Sequence, residues 1–86
     1  MKYILISFRS RNNVMSFLRL IRSKGVIATT QETPKSISSS CGLSIKTDYH
    51  FYNQILSLLS VFKTTDFIGV FLVNSAGLHN QIQKLY

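Results

Sequence analysis

Lys2-Tyr3-Ile4-Leu5-Ile6-Ser7-Phe8-Arg9-Ser10 reads as a buried strand running straight into a helix cap, and this opening decides the fold. Bulky and β-branched side chains favour the pleated chain because they pack well on its faces. Ser10 can accept from the first free amides of a helix running to about Lys24, and Gly25 closes it. At 100° per residue, Val14, Phe17, Leu18 and Ile21 share one helix face. Val26 to Thr33, rich in Val, Ile and Thr, reads as a second strand that Pro34 ends.

The same order then recurs. Gly42 to Thr47 alternates, with Leu43 and Ile45 on one side and Ser44 and Lys46 on the other, the pattern of a half-buried strand. Asp48 is placed to cap a second helix, Tyr49 to about Lys63, whose apolar arc holds Phe51, Tyr52, Ile55, Leu56, Leu58, Leu59 and Phe62. Phe67 to Val73 reads as a fourth strand. Asn74 to Tyr86 is polar and is expected to be irregular, with a short helical turn at His79 to Leu85. Strand–helix–strand, twice over, predicts an α+β ferredoxin-like split βαβ sandwich. Its four-stranded antiparallel sheet would run in the order 4-1-3-2, with two helices on one face. That domain is expected over residues 1–73, with 74–86 as a C-terminal extension. The uncovered face or an edge of the sheet is a candidate for pairing in a homodimer.

Composition bounds the function. The chain has 86 residues, room for one small core. Ten Lys and Arg against three Asp and Glu give a formal charge of +7, and 45% hydrophobic content excludes a disordered basic tail. The single Cys excludes an internal disulfide and any CxxC metal or redox site. His50 and His79 lack companion ligands, so neither a metal nor a cofactor is expected. Glu32, Asp48 and Asp66 do not form a pattern for paired-carboxylate catalysis, and no glycine-rich phosphate loop is present. No apolar run approaches the roughly 18–20 residues that span a bilayer, and the apolar start is too short for a signal peptide. A lone thiol suits a reducing compartment, so a cytoplasmic protein is expected.

Arg11, Arg19 and Arg22 lie within about 80° on the first helix, a stripe that could meet RNA or an acidic protein. The third strand carries no aromatic pair on which bases could stack, so RNA rests on charge alone. A non-catalytic basic interaction module is the alternative reading.

The chemistry-bearing segment is Pro34-Lys35-Ser36-Ile37-Ser38-Ser39-Ser40-Cys41-Gly42-Leu43. In the expected topology the start of the third strand meets the end of the first strand and the start of the first helix. Arg9, Arg11 and the free helix amides would then favour a Cys41 thiolate over the thiol. Ser38, Ser39, Ser40 and Gly42 supply small side chains, hydroxyls and backbone amides suited to an anion-binding nest.

This segment resembles the signature of a family of small bacterial selenium/sulfur carrier-like proteins, which place serines and Cys-Gly between a proline and an aliphatic strand. The resemblance runs from about Met1 to Val73. It implies that Cys41, followed by Gly42, holds sulfur or selenium as a persulfide or selenosulfide. It also implies relay to a partner such as a SirA-like sulfur-transfer protein or another thiol-exchange enzyme. The chain lacks the Cys-Pro-x-Pro segment of SirA-like proteins and is therefore not one of them.

Overall fold

The computed structural model describes residues 2–35, 37, 42–62, 64, 66–76 and 79–86, without the side chains of 75, 76, 79 and 80. Its elements are β1 (Lys2–Phe8), α1 (Arg11–Ser23), β2 (Ala28–Glu32), β3 (Leu43–Asp48), a 3-10 turn (Tyr49–Phe51), α2 (Tyr52–Leu59), β4 (Phe67–Ala76) and β5 (His79–Lys84). The strands form one antiparallel sheet in the order β2-β3-β1-β4-β5. The expected order of the first four strands is present, and the fifth strand is an addition to it.

Local chemistry accounts for α1. Ser10 Oγ accepts from Asn13 N–H at the start. At the end, Gly25 N–H donates to Arg22 O and Val26 N–H to Ile21 O, while Gly25 takes φ +87°. That pair of bonds is a Schellman closure, and the positive φ is why glycine stands there. Val14, Phe17, Leu18 and Ile21 are buried, the face the periodicity gives.

The second helix is shorter than expected. A 3-10 turn precedes it, and regular hydrogen bonding stops at Leu59 rather than Lys63. Ser60 Oγ donates to Ser57 O at 2.6 Å, a local bond that competes with continuation of the helix. Val61 and Phe62 follow in a turn closed on Leu58 O.

Beyond Val73 the expectation fails. β4 runs on to Ala76, and the segment expected to be irregular, with a helical turn at His79 to Leu85, is strand β5. Asn74 lies opposite Gln81 and Val73 opposite Ile82. The polar sequence of β5 has little periodicity of its own. Pairing to the otherwise open backbone of β4 gives it its conformation, and that partner is not local.

Both helices cover one face of the sheet. Ile4, Ile6 and Phe8 of β1 meet Ile45, Val70, the α1 residues and Ile55 in a single core. Four phenylalanines tie the layers together at one end: the ring of Phe8 lies 5.7 Å from those of Phe17 and Phe62 and 5.5 Å from that of Phe67. The opposite face carries Leu5 and Val73, both buried. Phe71 on that face reaches back over Gly69, where an added Cβ would meet its ring at 3.2 Å and Lys84 Cε at 3.0 Å. The missing side chain is thus what lets these two groups close over the sheet.

Candidate functional site

The strand register locates the predicted site at one end of the sheet. Ser7 lies opposite Ser44, so the end of β1, just ahead of Arg9, meets the start of β3, just past Gly42. Gly42 is half-buried, and its carbonyl accepts from Thr33 N–H at 2.9 Å, which closes the base of the β2–β3 connection. Arg9 and Arg11 are exposed. The end of β1, the start of β3 and the start of α1 therefore share one edge of the molecule, as the topology requires. Cys41, Ser38, Ser39 and Ser40 lie outside the described residues.

The start of α1 differs from expectation in one respect. A carboxylate is already seated beside its first turn, on the N–H of the capping residue Ser10. Asp66 Oδ2 accepts from Ser10 N–H at 2.6 Å, and Asp66 Oδ1 accepts from the Asn13 side-chain amide at 2.7 Å. Thr64 Oγ1 donates to the same carboxylate and accepts from Asn13 Nδ2 at 2.9 Å. Partial burial pushes the Asp66 carboxyl up, but hydrogen bonds from Thr64, Ser10 and Asn13 outweigh it and hold the group below its ordinary value. The positive end of the α1 dipole is thereby partly compensated within the protein.

A second polar cluster lies on the helix-free face at the same end. Ser7 and Ser44 are fully buried, with Oγ atoms 2.8 Å apart, and Thr33 Oγ1 lies 2.6 Å from Ser44 Oγ. Ser7 of β1, Ser44 of β3 and Thr33 just past β2 contribute one hydroxyl each, so the chain of hydroxyls links the three segments across the sheet. The alternation in β3 is as read from sequence, but Ser44 is buried rather than wet. Neither cluster was singled out by the sequence. The available signals were Ser7 inside an otherwise apolar strand and Thr64 and Asp66 just ahead of β4.

The remaining polar residues divide differently from the sequence pattern. Arg11 and Arg19 are exposed, whereas Arg22 donates through Nε and Nη2 to Ala28 O at 3.2 and 2.8 Å. Asp48 caps the 3-10 turn by accepting from His50 N–H at 2.9 Å, and the His50 ring lies 2.7 Å from the same oxygen. Those bonds from His50 hold the Asp48 carboxyl below its ordinary value. Among the described residues no three His, Cys, Asp or Glu converge as metal ligands. An open cavity of about 350 Å³ is lined by Leu59, Ser60, Phe62, Thr64, Phe67 and Tyr86. No helix among the described residues is long and apolar enough to cross a membrane.

These observations define a small α+β domain, a five-stranded antiparallel sheet with two helices on one face and a basic rim where the β2–β3 connection emerges. Residues 2–65 match the family described as "Putative Se/S carrier protein-like", and the chain belongs to that family. The matched segment runs from β1 through α2, includes the Pro34–Leu43 signature and the only Cys, and ends just ahead of β4. No curated protein matches the chain.

Proposed function

We propose that the protein is a carrier of sulfur or selenium that uses Cys41 on a ferredoxin-like scaffold. Family membership carries this reading, because the matched segment contains the only thiol of the chain. The register supports it by pairing Ser7 with Ser44, so that the start of β3, two residues past Cys41, lies at the end of β1 where α1 starts.

The chemistry is an exchange that needs no net redox change. The Cys41 thiolate attacks the outer sulfur of a donor persulfide; a new S–S bond forms on Cys41 and the donor leaves as its thiolate. A thiolate of the acceptor protein then attacks that outer atom, and Cys41 departs as a thiolate. Selenium in the outer position follows the same steps. Arg9 and Arg11 favour the anionic form, and Ser38, Ser39, Ser40 and Gly42 supply short-range donors to the adduct. The partners are thiol-exchange proteins such as SirA-like sulfur-transfer proteins, in a reducing cytoplasmic compartment.

The test is intact-protein mass spectrometry after incubation with a low-molecular-weight persulfide or with a selenosulfide donor. One added sulfur or selenium atom on the wild type, absent from Cys41→Ser, is the expected result. An unmodified Cys41 with an ordinary thiol pKa overturns the reading. In that case the exposed Arg11 and Arg19 favour the basic interaction module, which charge reversal at those two positions would disable.

A further inference from the structure

The strand order leaves β2 at one edge of the sheet. The bond from Thr33 N–H to Gly42 O fixes the alternation along the β2–β3 ladder. In an antiparallel pair, Thr33, Gln31 and Thr29 then turn their backbone groups toward β3, and Ala28, Thr30 and Glu32 turn theirs outward. One outward carbonyl is already marked by a charge, since the Arg22 guanidinium holds Ala28 O. At the other end of this short edge stands Glu32, exposed and in no ion pair among the described residues. Asp48 and Asp66 are by contrast engaged with His50 and with Ser10, Asn13 and Thr64. Ile27, immediately before the strand, is 80% exposed.

We propose that two copies of this chain associate through β2, antiparallel, with Thr30 facing Thr30 across a two-fold axis. This register places Ala28 opposite Glu32 of the second copy. With the two Ala28 carbonyls already held by Arg22, the remaining outward groups form about four interchain backbone hydrogen bonds. Ala28 and Glu32 share the helix side of the sheet, so each Glu32 carboxylate arrives beside the other copy's Arg22. The two-fold axis makes this charge pair twice. Ile27 falls opposite Thr33 of the second copy and loses much of its contact with water. Parallel pairing would instead set Glu32 near Glu32 and Arg22 near Arg22. The other edge strand, β5, contains no carboxylate, so two β5 edges could not form such pairs. A β2-to-β5 contact would be head-to-tail and would not close into a dimer. With a formal charge of +7 the copies repel at long range, so association is best measured at physiological salt, where the screening length is about 8 Å.

The experiment is sedimentation equilibrium of the full chain over a concentration series. The wild type is expected to show a monomer–dimer equilibrium. Glu32→Arg or Arg22→Glu should each raise the dimer Kd by roughly tenfold, and the double charge swap should bring it back. Thr30→Pro removes an amide that faces away from β3, so the intramolecular ladder survives. This variant should be monomeric with an unchanged circular dichroism spectrum. A wild type that stays monomeric at the highest concentration it reaches overturns the proposal. So does a dimer that is indifferent to both Thr30→Pro and Glu32→Arg, or assembly that continues beyond two copies.

Discussion

Both helical segments begin against a carboxylate, but the two carboxylates come from different distances along the chain. Asp48 sits two residues before His50, whose N–H it accepts, and the arrangement is exposed. Asp66 lies 56 residues from Ser10, and the bonds it receives are partly buried. The first is a local turn that any solvated peptide of this sequence could sample. The second exists only when β4 is paired to β1, because Arg9 N–H also donates to Asp66 O at 3.0 Å and sets the two segments side by side. A local cap reports on a helix; a remote one reports on whether the sheet behind the helix has formed.

Asp66→Ala should break this contrast most severely. It strips Ser10 N–H, Asn13 and Thr64 of their shared acceptor in a partly buried place, for an expected loss of about 2 kcal/mol in urea unfolding. The change should also release the edge of β4, which hydrogen exchange at Arg9 and Ser10 would show as faster exchange. Removing the carboxylate should in addition make the α1 end more electropositive. If Cys41 senses that edge, its thiol pKa falls in Asp66→Asn, and iodoacetamide titration measures the shift.

Ser44→Ala tests a second remote polar contact, with a somewhat smaller effect. It leaves the buried hydroxyls of Ser7 and Thr33 without their common partner, at an expected cost of about 1–2 kcal/mol. A change much below that range would mean that the two remaining hydroxyls find other partners.

Acid titration separates the two caps more finely. Both carboxyls are held below their ordinary value in the folded protein. Each therefore contributes stability above its unfolded pKa of about 4 and loses it as pH falls through the lower folded pKa. Thermal unfolding between pH 6 and pH 2 should show this decline. Asp66→Asn is expected to flatten the acid limb more than Asp48→Asn, which removes an exposed local contact and should change the melting temperature least. Equal flattening by the two would abolish the distinction between local and remote caps.

The same distinction explains what could be read in advance. Ser10, Gly25 and the Val14–Phe17–Leu18–Ile21 stripe are local signals, and α1 begins and ends where they direct. The alternation of Leu43, Ser44, Ile45 and Lys46 identifies β3 and its core-facing side. Strand β5 was not legible because His79 to Lys84 has weak periodicity and depends on hydrogen bonds to β4. Within the candidate site, Arg9, Arg11 and Gly42 come to one edge because strand order, readable from duplicated strand–helix–strand units, places them there. The presence of Asp66 at that edge was not legible, since no spacing rule connects it with Ser10.

The amino-acid sequence alone determined the elements whose causes lie within a few residues, namely β1, the caps of α1 and the position of β3, and it places the single thiol in the segment Ser-Ser-Ser-Cys-Gly. Only the tertiary structure decided the fifth strand, the hydroxyl chain Ser7–Ser44–Thr33, the carboxylate at the α1 start and the Arg22 grip on the edge of β2. The reason is physical. Periodicity and capping act over one or two turns of chain, whereas a buried or edge-facing polar group takes whichever partner the completed sheet brings within hydrogen-bonding distance.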